Sequence, residues 1–350
     1  MEKAFLNEKM ENKKDCLTGK CPPILENKEV NVVKLSEGSG GKEMHSLISE
    51  MKSYLNQGAW QHTDEDSSCL AIKDINILFT TDSYVVTPIF FPGGNIGKIA
   101  FCGTVNDLAV MGAKPLGISL GLIIEEGFPK ADLFKIMKTI GDLSIETGIP
   151  VVTGDTKVME KGSVDKIIIN TSGIGYADAV LGKPSKVGDK IIVSGGVGEH
   201  GTALMAKRFE LETSIETDSK PVWEEINSIK NLIKRAKDIT RGGLAAVLNE
   251  IAEKDKKQLL IYEDYIPLKK EVRALTEILG IDVYSLACEG RIVCICSPDN
   301  ENEVLGKLKK YNGMASVIGE VKEGKEVIVQ TRFGKKLLSM PSGNIVPRIC

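Results

Sequence analysis

Histidine and aromatic residues are scarce in this chain, which has three histidines and 5% aromatics among its 350 residues. Because there is also no Cys-x-x-Cys pair, the sequence argues against a structural zinc site. With so few aromatic residues, a surface on which nucleic acid bases could stack is not expected. The formal net charge of −3 gives no attraction to an anionic surface. Composition therefore argues against nucleic acid or membrane as a partner.

Long apolar runs and a secretion signal are missing as well. The longest apolar stretch, PLGISLGLII at residues 115–124, is too short to span a bilayer. The opening residues, MEKAFLNEKMENKKDC, contain no apolar signal core. We therefore expect a cytoplasmic protein.

Eight cysteines are present, but without a secretion signal they do not indicate a disulfide framework. Five of them lie in apolar runs and are expected to be small core residues: Cys69, Cys102, Cys288, Cys294 and Cys296. Cys16 and Cys21 lie in a polar leader and carry no prediction. Cys350 ends the chain after Pro-Arg-Ile, a position where a thiol without a use is a liability.

Alternating strand and helix patterns predict an α/β (α+β) protein of two domains. Residues 1–30 are polar and lack apolar periodicity, so we expect a flexible leader. The patterns then run through residues 31–178, and the turn-rich stretch LGKPSKVGDK separates them from a second set within residues 179–340. Residues 341–350 contain two prolines and a glycine, which predicts a flexible tail.

Four aspartates occur where strands or apolar helices meet loops: Asp66, Asp82, Asp107 and Asp155. Any one of them could be a solvated or capping residue. Asp107, however, lies in an otherwise apolar helical segment, and no basic residue is near it in sequence to pair with it. Carboxylate clusters suit hard cations, and magnesium carries nucleotide phosphates. The four together predict a magnesium-nucleotide site.

Three glycine-rich segments support this site weakly. EGSGGK, PGGNIGK and SGGVGEHG could each present backbone N–H groups to a phosphate. None of them is a Walker A motif or a dinucleotide fingerprint. Glycine loops are more often turns than ligand sites, so they add little alone.

Several longer segments resemble the ATP-dependent, PurM-like superfamily of aminoimidazole ribonucleotide synthetase, selenophosphate synthetase and thiamine-monophosphate kinase. These segments are TTDSYVVTPIFFPGGNIGKIAFCGTVNDLAVMGAKP, TGDTKV, GEHG and DITRGGLAAVLNEIA. Within that superfamily, FFPGGNIGK and the final PRIC resemble HypE, the carbamoyl dehydratase family of hydrogenase maturation. The resemblance leaves only the leader uncovered.

The resemblance implies an ATP-binding N-terminal domain that dimerises, a C-terminal α/β domain, and ATP with Mg²⁺ as cofactors. A HypF-type carbamoyltransferase would load a carbamoyl group onto Cys350. ATP would then phosphorylate the thiocarboxamide oxygen, and loss of phosphate and a proton would leave a thiocyanate. The cyanide would pass to iron on a HypC–HypD complex, as a ligand of [NiFe]-hydrogenase.

The resemblance also assigns residue roles. The Mg-ATP carboxylates would be the four aspartates, and further nucleotide-binding residues in the same segments would be Thr81, Lys98 and Asn106. Glu289 in CEGR would be the base, and Lys157 in GDTKV would orient it or hold phosphate oxygens. Structural alternatives are a surface lysine for Lys157, and a helix cap or a salt bridge with Arg291 for Glu289. His200 in GEHG matches a family histidine, with no role assigned beyond packing. EDSSCL departs from the small apolar residues usual after the first acid.

Two other functions remain open at this point. A different ATP enzyme of the superfamily, such as a small-molecule kinase or selenophosphate synthetase, would not need Cys350. A non-enzymatic thiol carrier would not need the four aspartates.

Overall fold

The computed structural model describes residues 32–343 and 348–349 of the chain. The predicted leader at residues 1–30 and the terminal Cys350 lie outside the described residues. So does part of the predicted tail.

The first half of the described chain alternates helices with strands. Its elements are α1 (Lys42–Lys52), β1 (Ser68–Ile72), β2 (Ile75–Tyr84), β3 (Phe90–Phe91), β4 (Gly94–Asn95), α2 (Ile96–Val110), β5 (Lys114–Glu125), α3 (Lys130–Thr147), β6 (Val151–Met159) and β7 (Ile167–Ala177). A short 3-10 turn at Leu35–Gly38 precedes α1. Within residues 32–343, β1, β2, β7, β5 and β6 form one sheet in that order. β6 is parallel to β5, and the other pairings in this sheet are antiparallel.

Helix α2 packs on the inner face of this sheet, against β2 and β7. It begins after Asn95, whose side chain accepts hydrogen bonds from the backbone N–H groups of Gly97 and Lys98. Nearly all of its residues are buried. Gly103 permits the close approach, because a Cβ there would lie 2.2 Å from the Tyr84 hydroxyl. The apolar helical segment predicted around Asp107 is confirmed.

The second half builds a larger sheet. Its elements are β8 (Lys190–Val193), α4 (Glu199–Arg208), α5 (Trp223–Ile229), β9 (Ile233–Asp238), α6 (Gly243–Asp255), β10 (Gln258–Tyr262), α7 (Lys270–Leu279), β11 (Ile292–Cys296), α8 (Glu301–Tyr311), β12 (Ser316–Lys322), β13 (Val327–Thr331) and β14 (Gly334–Leu337). Further 3-10 turns span Glu263–Tyr265, Val283–Ser285 and Pro298–Asn300. The described strands are ordered β14-β13-β10-β12-β8-β11-β9.

Three sequence-based expectations can be compared with this architecture. The mixed α/β fold of two domains is confirmed, while the exact domain limits stay predictions. The five cysteines expected in the core are all buried. In the part of the chain that the structure describes, no helix is long and apolar enough to cross a membrane.

Candidate active site

Three of the four predicted aspartates interact electrostatically where the two sheets approach each other. Asp66 precedes β1, Asp82 lies in β2, and Asp107 lies on α2. Asp107 accepts a hydrogen bond of 2.7 Å from Thr80 Oγ1, and Asp82 accepts one of 3.2 Å from the Tyr84 hydroxyl.

A fourth carboxylate joins this carboxylate cluster from the second half of the chain. Asp238 ends β9 and is buried. Burial raises the pKa of Asp107 well above its usual range, and the charges of Asp82, Asp238 and Asp66 raise it further. Burial, with the nearby Asp66 as the next cause, raises the pKa of Asp238 to about 8. Asp238 was not among the residues predicted from the sequence, although it is the first residue of the segment DITRGGLAAVLNEIA, which is part of the family resemblance.

Basic groups offset only part of this negative charge. Lys237 Nζ lies 2.8 Å from Asp66 Oδ1 and 3.1 Å from Glu250 Oε2, and Arg241 lies 3.9 Å from Asp82. The Oδ2 atoms of Asp66 and Asp238 are buried and have no hydrogen-bond partner among the described residues. The cluster therefore keeps oxygen atoms available to a cation.

An open pocket of about 590 Å³ lies beside Asp66. Helix α1 lines one side of it with His45, Ser49 and Lys52, and Lys237 and Lys254 are among the residues of the other side. Its size is in the range of small-molecule and cofactor sites. Five acidic residues also line it, and Lys237 and Lys254 form ion pairs with four of them.

Glu289 is the most deeply buried of the predicted catalytic residues that the structure describes, at 2% exposure. Neither carboxyl oxygen has a hydrogen-bond partner among the described residues. Burial raises the pKa of Glu289 well above its usual range, with Asp218, Asp238 and Asp82 as further causes. Arg291, the alternative partner, instead approaches Asp218 and Glu199, each at 3.6 Å. A buried carboxylate of raised pKa is a stronger base than an exposed one.

Asn106 connects helix α2 to the loop that carries Glu289. Its side-chain N–H groups donate to the backbone oxygens of Glu289, at 3.3 Å, and Lys220, at 3.1 Å. Its side-chain oxygen accepts from Val222 N at 2.8 Å. Since these bonds occupy the amide, its predicted contact with a nucleotide stays a prediction.

Asp155 and Lys157 lie apart from the other predicted site residues of the same chain. Both are on β6, with side chains 71% and 69% exposed, and they pair with each other at 3.3 Å. Two strands, β7 and β5, separate β6 from the strand that carries Asp82. Within this chain Lys157 matches the surface-lysine alternative.

The remaining predicted nucleotide-binding residues also make local contacts. Thr81 is exposed on the outer face of β2, opposite the neighbouring Asp82, because side chains alternate along a strand. It bonds Ser172 and Asn170 there. Lys98 donates to the Gly93 carbonyl at 2.9 Å. Both stay predictions.

The glycine segment before α4 uses its N–H groups within the fold. Val197 N donates to Pro267 O, and Gly201 N donates to Ala287 O, each at 3.0 Å. Gly198 N donates to Cys288 Sγ at 3.1 Å. These groups are therefore not available to a phosphate in this arrangement.

The fold and the carboxylate cluster define the broad class of this protein. Residues 64–177 match the N-terminal domain of AIR synthase related proteins, and residues 186–332 match the C-terminal domain of the same family.

Comparison with known relatives identifies the family within this class. The chain is 40% identical over 332 residues to the carbamoyl dehydratase HypE of Rhizobium leguminosarum bv. viciae, covering 91% of this chain and 95% of that one. A HypE–HypF complex structure matches with a TM-score of 0.79 and 41% identity, covering 85% of this chain and 100% of that chain. HypE in complex with ATP matches with a TM-score of 0.77 and 35% identity, covering 91% and 100%. The chain belongs to the HypE family of carbamoyl dehydratases.

Proposed function

We propose that this chain is an ATP-dependent dehydratase that converts a carbamoyl group on the Cys350 thiol into a thiocyanate. The observation that carries the proposal is Glu289, a buried carboxylate with both oxygens unpartnered in the described chain, electrostatically coupled to the carboxylate cluster. A base of this kind fits a reaction in which protons leave an amide nitrogen.

The chemistry follows from the weakness of an amide oxygen as a leaving group. Phosphoryl transfer from ATP turns this oxygen into a good leaving group. Two protons leave the nitrogen overall, one as the phosphorylated imidate forms and one as the C–O bond breaks. Glu289 would take the proton in the second step, leaving C≡N on sulfur and free phosphate.

Mg²⁺ is proposed as the ion that offsets charge on the transferring phosphoryl group. The donors available to it are carboxylate oxygens of Asp66, Asp82, Asp107 and Asp238, two of which are buried and unpartnered. Within residues 32–343, no three His, Cys, Asp or Glu side chains are arranged to hold a metal by themselves. This fits magnesium, which is usually held by one or two carboxylates together with phosphate oxygens and water.

A homodimer is proposed to complete the site. β6 is an edge strand among the described residues, and all of its residues are exposed, including Val152 and Val158. The outer face of the sheet also exposes Phe79 and Ile174. Exposed edges and apolar faces of this kind need a cover, which a second copy can provide. We infer that Asp155 and Lys157 act in the site of the partner subunit.

The matched HypE–HypF complex supports the first proposed partner, and the sequence resemblance alone suggests the second. A HypF-type carbamoyltransferase would load Cys350, and a HypC–HypD complex would receive the cyanide for the iron of [NiFe]-hydrogenase. A kinase of the same superfamily has no need of Cys350, and a passive thiol carrier has no need of an unpartnered Glu289. The dehydratase accounts for both residues.

Intact-mass measurement tests the proposal. The full chain is incubated with carbamoyl phosphate, ATP and a HypF-type carbamoyltransferase. We expect a carbamoyl adduct that then loses one water, and no adduct on Cys350→Ala. A stable carbamoyl adduct would instead identify a carrier. Absence of any adduct on the wild type would favour the superfamily kinase.

A further inference from the structure

The two described residues near the end of the tail are bound to the body of the protein. The Arg348 carbonyl accepts hydrogen bonds from Thr87 N and from the guanidinium of Arg208 on α4. The Arg348 guanidinium pairs with Asp165. Ile349 is 7% exposed and belongs to the core cluster of the first sheet. The tail was predicted to be flexible, so this attachment was not expected.

His200 makes the contact nearest to the terminal residue. It lies in the first turn of α4 and is fully buried. Its Nε2 is 3.0 Å from the Ile349 carbonyl, and its Nδ1 is 2.8 Å from Thr217 Oγ1. The Phe91 ring meets the imidazole edge-to-face at 5.3 Å. Packing and two hydrogen bonds therefore fix the ring orientation.

The surrounding groups also decide the tautomer of His200. Burial lowers the pKa of His200, so the ring is neutral and has a single N–H. A carbonyl can only accept, which places that proton on Nε2. Nδ1 then accepts from the Thr217 hydroxyl, whose oxygen accepts in turn from Ser219 N at 3.1 Å.

The loop of Thr217, Asp218 and Ser219 serves two purposes. Thr217 supports His200, which holds the tail, while Asp218 Oδ1 accepts a 3.1 Å hydrogen bond from Glu289 N. The tail contact and the proposed base are therefore attached to the same three residues. Cys350 follows Ile349 directly, and consecutive Cα atoms are only about 3.8 Å apart. The His200 contact with the Ile349 carbonyl therefore acts one residue before the terminal thiol in the sequence.

We propose that His200 is a positioning residue for dehydration, whose Nε2–H holds the Ile349 carbonyl so that the group on Cys350 is presented to Glu289. This inference rests on the proposed function. His200 touches neither the reacting atoms nor, in the described chain, Glu289 itself. Its effect is exerted through the tail backbone.

Three substitutions separate positioning from packing. His200→Gln keeps an N–H donor near the place of Nε2, His200→Asn keeps a polar group only near Nδ1, and His200→Ala keeps neither. The full chain is carbamoylated by the HypF-type enzyme, and water loss is followed by intact mass. In parallel, without carbamoylation, carboxypeptidase trimming past Ile349 reports how firmly the tail is held.

We expect His200→Ala and His200→Asn to accept the carbamoyl group normally and to lose water about tenfold to a hundredfold more slowly, the cost of an unsatisfied buried carbonyl. Both should also be trimmed faster than the wild type, and His200→Gln should restore both properties. Water loss at the wild-type rate in His200→Ala would overturn the proposal, as would rescue by Asn but not by Gln. If the wild type itself never loses water, the proposed dehydratase function fails, while trimming still tests the tail contact.

Discussion

The Glu289 carboxyl must be desolvated when the chain folds, and no described group forms a hydrogen bond with it. In the unfolded chain it ionises near the ordinary glutamate pKa, while in the folded protein burial raises that pKa. Between the two values, unfolding releases a proton. The free energy of unfolding therefore falls as pH rises through this window, by about 1.4 kcal/mol for each unit of separation.

Removing this group should therefore stabilise the protein in a pH-dependent way. Glu289→Gln cannot ionise, so its Tm should rise relative to the wild type as pH increases from 4 to 7. Below about pH 3, where the wild-type carboxyl keeps its proton in both states, the difference should stop changing. Thermal melts of both chains across this range measure it. A Tm difference that does not change with pH would show that Glu289 is not desolvated as described.

The same substitution should abolish water loss from the carbamoyl adduct, because an amide cannot accept the proton. A more stable but inactive variant would mean that burial at Glu289 is retained for chemistry and not for folding. Among the acidic residues, apolar surroundings made Asp107 stand out in the sequence, whereas Glu289 was assigned through the family resemblance. Asp238 could not be found that way, because it follows the basic segment IKRAK.

At the scale of elements, β9 explains why Asp238 was missed. The sequence IKRAKD resembles an exposed charged loop, yet most of this strand is buried. Arg235 is 3.2 Å from Glu65 and 3.0 Å from Asp255, and Lys237 pairs with Asp66. The Glu65 and Asp66 partners lie about 170 residues away in sequence. Periodicity within one segment cannot report a partner of that kind.

Breaking this buried ion network should be costly. Arg235→Met removes the ion pair of the buried Asp255 and one ion pair of Glu65, which keeps Lys254 at 2.7 Å, so we expect a loss of about 3 kcal/mol. Urea unfolding at pH 7 measures the change. Lys257→Met removes a more exposed pair with Glu323 and should cost no more than about 1 kcal/mol. Equal effects from the two substitutions would contradict the importance of the network.

The outer face of the first sheet carries the next prediction. Ile174 lies on β7 and is 41% exposed. It belongs to the face that a second copy of the chain is proposed to cover. Ile174→Glu would place a charge against apolar side chains of the partner, so we expect the variant to be monomeric and to lose its dehydratase activity. Light scattering after size exclusion measures the mass. Phe333→Glu, at a 93% exposed position outside this face, is the matched control and should leave the dimer intact. Dimers of normal stability with Ile174→Glu would place the interface elsewhere.

At the scale of the whole molecule, the predicted site residues fall into two groups. The carboxylate cluster and Glu289 are coupled within one chain, whereas Asp155 and Lys157 lie exposed on β6. The sequence could name both groups, since each has a recognisable segment. It could not show that they lie apart, because strand order is set by long-range pairing of β2, β7, β5 and β6. A site shared between subunits reconciles the two groups.

A shared site makes a definite prediction for mixed dimers. Glu289→Gln and Lys157→Ala should each be inactive alone. In a heterodimer of the two, one site would combine both lesions and the other would combine intact Glu289 with intact Lys157. Purified heterodimers should therefore have about half of the wild-type activity per chain, because a two-fold dimer has two equivalent sites. N-terminal tags allow their isolation without altering the tail, and water loss by intact mass gives the activity.

The control pair tests whether complementation follows the division seen in the structure. Asp82 and Glu289 are coupled within one chain, so a heterodimer of Asp82→Asn and Glu289→Gln would have one lesion in each site and should stay inactive. If the site were contained in a single chain, neither pair would recover activity. If Lys157 were an ordinary surface lysine, Lys157→Ala would be active alone. Only a site that takes Lys157 from the partner predicts recovery in the first pair and none in the second.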